Sequence, residues 1–410
     1  MTEPEIEALD AADPLAAKRA EFLLPDGVIY LDGNSLGPLT RGARDALEEA
    51  AVEEWGRLLI RGWNEAGWFT APQQVGDRIG RLIGAPEGAV TVADNTSTNV
   101  FKCLSAALSL RASRSVILSD SGNFPTDLYV AQGLIEGLGR ELELRVVAPE
   151  AVEAAIDHSV AVVMLTEVDY RTGRRHDMKR LTEVAHEHGA LAMWDLAHSA
   201  GAFPVDLTGA GADLAVGCGY KYLNGGPGAP AFLYVAPELQ PHVRPFLSGW
   251  MGHAAPFAFD LDYRPLEGVG RMRVGTPPVL SLAALDAALD VFEGVDMATL
   301  RAKSVSLSEL FVAEVERLCA GHGLRLVSPR EAETRGSQIS FAHPEGYAVM
   351  QAMIARGVIG DFRAPDVMRF GFAPLYLSHA EVARAAAMLA EILETKAWDR
   401  PEFRARAAVT

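Results

Sequence analysis

The sequence predicts an α/β fold, with a mostly parallel central sheet flanked by helices and a smaller α+β domain built from the C-terminal part and the N-terminal segment. Three observations carry this reading. Almost wholly apolar runs at 159–166 and 191–194 read as strands buried on both faces, as parallel strands are. From about residue 293 the pattern changes, and amphipathic helices at 300–319 and 378–395 alternate with short strands. Between these regions, residues 191–228 bring Asp195, His198, Tyr220 and Lys221 to the carboxyl ends of two strands, where ligands bind in open α/β sheets.

In chain order, a helical stretch over 14–22 precedes a strand at 28–31, which closes on the turn Asp32-Gly33-Asn34-Ser35. Leu36-Gly37-Pro38 continues the loop, and a helix runs from 41 to about 59. The loop 61–68 carries Trp63 and Trp68, which are costly to expose. They are either packed structural residues or the wall of an aromatic pocket. A strand at 90–93 leads into a hydroxyl-rich turn, Asp94 to Asn99, and an apolar helix over 100–110. A helix start offers free N–H groups and a positive dipole end. Thr96 and Ser97 there either complete an anion site or simply cap the helix.

The strand 115–119 precedes Gly122-Asn123-Phe124-Pro125-Thr126-Asp127. An exposed Phe124 before a proline suits a ring that stacks on a planar ligand, and Asp127 is a cap or a ligand group. After the strand 159–166, Asp169 to Gly173 form a loop, and His186 and His188 on the next helix are two apart, on different faces. They read as surface residues. The strand 191–194 ends on Asp195, and the strand 214–218 runs into Gly219-Tyr220-Lys221-Tyr222 and a glycine-rich turn. A merely solvated lysine does not need that backbone freedom beside it. The arrangement suits an enzyme that holds a heteroaromatic cofactor between an acid and an amine. The strand 231–235 leads to Trp250 in a Gly-flanked loop, and Gly275-Thr276-Pro277-Pro278 precede a helix over 280–292. Ser378 to Glu381 form a capping-box pattern. Arg369 sits inside an apolar strand. It either makes a structural salt bridge or grips a carboxylate with its fork.

Composition bounds the function. At roughly 150 residues per domain, 410 residues suggest two or three domains. The pattern divides them into an N-terminal segment (1–60) that joins the small domain, a large α/β domain (61–292) and a small C-terminal α+β domain (293–410). Lys and Arg number 37 against 54 Asp and Glu, a net charge of −17, which disfavours nucleic acid as a partner. Cys103, Cys218 and Cys319 show no metal-ligand spacing, so no metal is expected. An odd, small cysteine count fits a reducing compartment. The acidic start lacks a signal-peptide core, and no run of eighteen apolar residues suggests a membrane span. A cytoplasmic protein is expected.

The motifs resemble those of the kynureninase family, in its bacterial type. WDLAHSAG and GYKYLNGGPG mark the broad class, the pyridoxal 5′-phosphate (PLP) enzymes of fold type I; YLDGNSLG, NFPTDLY and LSGWMGH narrow it. The resemblance spans almost the whole chain, to MRFGF at 368–372. It implies PLP bound as a Schiff base on Lys221, with Asp195 on the pyridine nitrogen and His198 touching the cofactor or supporting Asp195. Thr96, Ser97, Tyr220 and Trp250 go to the phosphate, and Thr276 lies near it across a dimer interface. Phe124, Pro125, Thr126 and Asp127 complete the cofactor set, with Phe124 stacked on the ring. For the substrate it implies Arg369 at the α-carboxylate, Trp63 and Gly275 near the aryl ring, and Asn34 and Ser35 in a turn on the substrate side.

The reaction so implied is hydrolysis of the Cβ–Cγ bond of L-kynurenine to anthranilate and L-alanine, in tryptophan catabolism and NAD biosynthesis, by a homodimer whose active sites lie between subunits. Lys221, Tyr220 and Asp195 are the expected catalytic residues. With Trp63 and Gly275 near the ring, unmodified kynurenine is favoured over its 3-hydroxy form. Two other readings stand beside this one. A desulfurase of the same fold needs a cysteine on a mobile loop, whereas Cys103 and Cys218 lie in apolar runs and Cys319 at a helix end. A non-catalytic relative is expected to have lost the lysine or the acid, and both are present.

Overall fold

The computed structural model of the chain describes residues 1–406. They form two compact units. One comprises Ala43–Tyr170 and His176–Leu289; the other comprises Met1–Gly42, Arg171–Arg175 and the chain from Asp290 onward. The divisions fall at Gly42 and Leu289, against the 60 and 292 expected from pattern. Ala43 explains the first difference, because it packs against Ala284 and Ala288 of the larger unit.

The larger unit is built on seven strands: β1 (Val90–Val92), β2 (Val116–Asp120), β3 (Glu143–Val147), β4 (Val160–Thr166), β5 (Leu191–Asp195), β6 (Leu214–Gly217) and β7 (Phe232–Val235). Their spatial order is β1-β7-β6-β5-β4-β2-β3. Only β7 runs against the others, pairing antiparallel with both β1 and β6. Every residue of β4 is buried, as its unbroken apolar run requires. Edge strand β3 is half-exposed and carries Glu143 and Arg145. The sequence pattern misses it for that reason: it has no apolar run, and its pairing with β2 is a tertiary effect.

Helix α1 (Thr96–Leu110) lays Val100, Cys103, Leu104 and Leu108 onto the sheet, against Ile117, Val162, Met193 and Val216. It starts at Thr96, four residues before the expected 100, because its polar first turn has no apolar periodicity to announce it. Helix α2 (Pro125–Leu138) follows β2, and α3 (Met178–Glu187) precedes β5. The helix expected over 41–59 is an α-helix only over Arg41–Glu49, and its continuation, Ala50–Leu58, is wound as a π-helix.

In the smaller unit, β8 (Arg325–Leu326), β9 (Gln338–Ala342), β10 (Asp361–Arg363) and β11 (Val367–Gly371) form an antiparallel sheet in the order β10-β11-β9-β8. The N-terminal segment joins this unit through Ile29–Tyr30, which pairs in parallel with Val358–Ile359. Helix α4 (Met297–Leu318) packs on α5 (His379–Glu394). Ser378 caps α5 as expected: its hydroxyl accepts from Glu381 N–H, and the Glu381 carboxylate accepts from Ser378 N–H. A helix at Glu3–Ala11 went unread because it buries none of its own residues. It is anchored instead by Asp10, whose carboxylate accepts from the N–H groups of His379 and Ala380 at the start of α5.

His186, on α3, is half-exposed, and its Nε2 lies 2.8 Å from Asp213 Oδ2. That hydrogen bond raises the imidazole pKa above its ordinary value, with partial burial opposing. A folded-state pKa above the unfolded one stabilises the fold fully below about pH 6.5, and the contribution fades as pH rises through the folded value. His186→Gln is therefore expected to lower the Tm at pH 6 and to leave it unchanged at pH 9, in thermal scans of both proteins.

Candidate active site

In the larger unit, the chemistry collects at the carboxyl ends of β2, β5 and β6. β5 ends on Asp195, whose Oδ1 accepts from Ala197 N–H at 2.8 Å. The chain then turns tightly: Ser199 and Ala200 N–H groups both donate to Leu196 O, and this turn carries His198 inward. β6 leads into Cys218, Gly219, Tyr220 and Lys221. The turn closes on itself through Gly225 N–H to Gly219 O at 2.9 Å. A side chain at Gly225 would meet that same oxygen at 2.8 Å and Leu285 at 2.7 Å, so the glycine is a packing requirement. The outcome is that Lys221 Nζ lies 3.0 Å from His198 Nε2 and 5.8 Å from the centre of the Tyr220 ring.

Beside them lies Asp127, in the first turn of α2. Asp127 and Asp195 are both buried. Burial pushes the Asp127 carboxyl well above the usual carboxylate range, and the Asp195 charge pushes the same way, against Lys221. Burial raises Asp195 too, opposed by Lys221 and the Ala197 N–H. Asp127 Oδ2 is buried without a hydrogen-bond partner among the described residues. Two crowded carboxyls, one with an orphaned oxygen, facing an amine, form the donor set that a protonated pyridine ring and an aldehyde would satisfy. The residues fit PLP.

The anion end is also formed. Asn95, not Thr96 or Ser97, is the cap of α1: its side chain accepts from Thr98 N–H at 2.9 Å. Thr96 and Ser97 occupy the first two helical positions, where backbone N–H groups have no intrahelical partner, and their hydroxyls have no capping duty. A concavity of about 510 Å³ opens alongside, lined by Asp94, Asn95, Thr98, Tyr220, Gly228 and Pro278. Gly275 and Thr276 are exposed and line a smaller pocket of about 60 Å³ with Asp94 and Arg273.

Phe124 is exposed and stands edge-on to Tyr170, centroids 5.3 Å apart at 89°. Tyr170, in the loop after β4, supplies the supporting ring. Pro125 opens α2, and Thr126 is half-exposed beside it. Trp63 and Trp250, read separately from sequence, belong to one cluster. Trp63 packs edge-to-face on Trp250 at 5.8 Å and on Trp68 at 6.1 Å, and Trp250 packs on Phe257 at 5.8 Å.

Arg369, Ser35 and Asn34 belong to the smaller unit. Arg369 is buried in β11, in register with Asp361 of β10. Of the two readings of Arg369, the structural salt bridge is present. Arg369 Nε donates to Asp361 Oδ1 at 2.6 Å, and its Nη2 donates to Asp361 Oδ2, so that edge is closed. Ser35 Oγ accepts from Arg369 Nη2 at 2.9 Å and donates to Asp361 Oδ2 at 2.6 Å, so its hydroxyl serves the arginine. Asn34 lies beside Ser35 in the same turn. It is fully buried, its Nδ2 donates to Gln338 Oε1 at 3.3 Å, and its amide fills the space where Gly371 lacks a side chain. Asp361 is the residue that sequence reasoning missed. The one available signal was an acid in a short strand next to the strand of a buried arginine.

Comparison with known proteins identifies the family and the fold. Residues 300–389 match the model of the kynureninase C-terminal domain. The chain is 54% identical to a kynureninase of Pseudomonas fluorescens over 408 residues, covering 98% of each chain. It is 53% identical to a kynureninase of Burkholderia pseudomallei over 414 residues, covering 100% of each. Among solved structures, the cysteine desulfurase of Thermococcus onnurineus superposes with a TM-score of 0.74 at 19% identity, over 96% of this chain and 99% of the other. C-DES, solved with glycine covalently linked to its PLP cofactor, superposes with a TM-score of 0.73 at 19% identity, over 89% and 97%. At that identity the structural likeness establishes the fold alone: a PLP fold type I architecture.

The crowded carboxyls also set a pH dependence. A carboxyl whose folded pKa is raised costs stability once pH passes its unfolded value near 3.9, and the loss is complete above the folded value. Asp127→Asn removes that loss. It is expected to raise the Tm of the cofactor-free protein at pH 7.5, and to raise it less at pH 4.5, in parallel thermal scans.

Proposed function

The chain belongs to the kynureninase family, and from that membership and the geometry above we propose how its own residues do the work. It is a PLP-dependent hydrolase of a carbon–carbon bond, cleaving L-kynurenine to anthranilate and L-alanine in the tryptophan pathway. The observation that carries the reading is the joint burial of Asp127 and Asp195 beside Lys221 and His198. PLP, when bound, supplies the electron sink that takes up the electrons of the broken bond.

Asp195, with Asp127 beside it, holds the proton on the pyridine nitrogen. Lys221 would anchor the cofactor aldehyde and, when its amine is free, would move the proton at substrate Cα. His198 orients the Lys221 amine from 3.0 Å. Burial keeps the Tyr220 phenol well above its ordinary pKa, so it stays protonated and would donate to the phosphate, or to substrate Cβ as water, added at the γ-carbonyl, carries Cγ away as the anthranilate carboxyl. Thr96 and Ser97 bind the phosphate through hydroxyls and first-turn N–H groups. Phe124 covers the ring with Pro125 and Thr126 beside it, and Arg369 receives the substrate α-carboxylate. Trp63 meets the aryl ring.

Trp250 is read as reaching the phosphate, Gly275 as lying near the aryl ring, and Thr276 as reaching the phosphate and ring across the interface with a second copy of the chain. Exposed Phe257, Phe259 and Leu261 support a homodimer, since large apolar side chains in one surface stretch mark an interface. Three unpaired, buried cysteines suit a reducing, cytoplasmic setting. The same burial counts against a desulfurase, whose cysteine must reach the substrate. No helix among the described residues is long and apolar enough to cross a membrane.

The founding test is direct. Purified protein is expected to be yellow with bound PLP and to release fluorescent anthranilate from L-kynurenine; Lys221→Ala is expected to release none. A yellow protein that leaves kynurenine intact overturns the assignment. For the ring pocket, Trp63→His is expected to shift the ratio of kcat/KM values toward 3-hydroxykynurenine, because a site selects a hydroxyl by offering it a polar partner. An unchanged ratio removes Trp63 from the ring pocket.

A further inference from the structure

Three separate segments of the smaller unit converge on one guanidinium. Asp361 and Arg369 face each other in register across β10 and β11, and Ser35 reaches them from the turn after Ile29–Tyr30. Both residues are buried in the chain as it stands, Arg369 at 1% and Asp361 at 2% exposed. Asp361 takes the Nε–Nη2 edge in a two-point grip, and Ser35 ties Nη2 to the same carboxylate. Burial alone raises a carboxyl pKa, but the hydrogen bonds and charge of Arg369 outweigh it, so Asp361 lies below the usual range and stays ionised. Arg363 adds a second cation at 2.9 Å from Asp361 Oδ2. Asp32, the other carboxyl of this cluster, goes the opposite way: burial and the Asp361 charge push it up to about 7.

A guanidinium held along one edge by a charged, two-point contact has lost its freedom to rotate about its plane. Such a group meets an incoming carboxylate without first giving up rotamer freedom, and a well-supported site gains its precision this way. We propose that Asp361 is a positioning residue for Arg369, fixing the plane in which the arginine receives the substrate α-carboxylate, with Ser35 as the lock between them. The proposal rests on the reading that Arg369 binds that carboxylate. It assigns Asp361 no contact with substrate or cofactor.

The test compares two ligands of the PLP-loaded enzyme. One is L-kynurenine; the other is the amine left when its α-carboxylate is removed, used as a competitor. Asp361→Asn keeps the shape and removes the charge. It is expected to raise KM for kynurenine about ten- to a hundredfold, the scale of a misplaced binding group, with a much smaller change in kcat. Affinity for the carboxylate-free amine is expected to stay unchanged. Ser35→Ala, which deletes one hydroxyl, is expected to act in the same direction more weakly, and it carries the test if Asp361→Asn fails to fold. Asp361→Glu is expected to restore part of the loss. Weakening of both ligands equally, or a fall in kcat at constant KM, overturns the positioning role. Arg369→Ala runs in parallel. If it too weakens both ligands equally, the carboxylate reading of Arg369 is wrong and the role of Asp361 falls with it. If Arg369→Ala discriminates and the Asp361 and Ser35 variants do not, only the positioning role is wrong.

Discussion

Two buried carboxyl groups and a half-buried amine meet at the strand ends of the larger unit, and much of that unit serves to keep them there. Buried ionisable groups are costly unless paired. Here burial raises both Asp127 and Asp195, the Asp195 charge raises Asp127 further, and Lys221 counters both only in part. The sheet tolerates the crowding because six of its strands are wholly buried, a rigid platform on which the groups cannot drift apart. A cationic ring bound between acid and amine relieves the conflict. Cofactor affinity and apo-state strain are thus two aspects of one arrangement.

The rest of the large-unit site follows a division of labour at helix starts. Asn95 satisfies the orphan N–H of Thr98, which leaves Thr96 and Ser97 without a structural task. At the next helix, Phe124 occupies the cap position and offers no capping hydrogen bond. Its ring stands exposed on Tyr170, and its backbone N–H goes to the Asn123 side chain at 2.7 Å. In both cases a neighbouring asparagine carries the local hydrogen bond, and the functional side chain is released from it.

Much of this was legible in the sequence because it is local. The strand ends at Asp195 and Lys221, the capping box at Ser378 and the buried run of β4 are each written within a few adjacent residues. What escaped is what folding assembles from afar or what polarity disguises. β3 carries two charges in five residues and becomes a strand only beside β2. The helix at Glu3–Ala11 buries nothing of its own. Arg369 announced itself as a buried cation, but its partner Asp361 depends on strand register, and that register sets Asp361 along one edge of the guanidinium. Asn34 and Ser35 were placed correctly in a turn, yet their side chains point to duties within the smaller unit, toward Gln338 and toward Arg369.

The three cysteines have a use that chemistry did not give them. Burial pushes the Cys103 thiol up to about 12 and the Cys319 thiol up to about 11, and it raises Cys218 as well. Only a thiolate reacts readily with an alkylating reagent, so in the folded chain all three are silent. Cys103 sits under the sheet of the larger unit and Cys319 at the end of α4 in the smaller one. Each becomes reactive only when its own surroundings open. The chain therefore carries a built-in reporter in each unit, and the order in which the thiols take up label records which unit comes apart first.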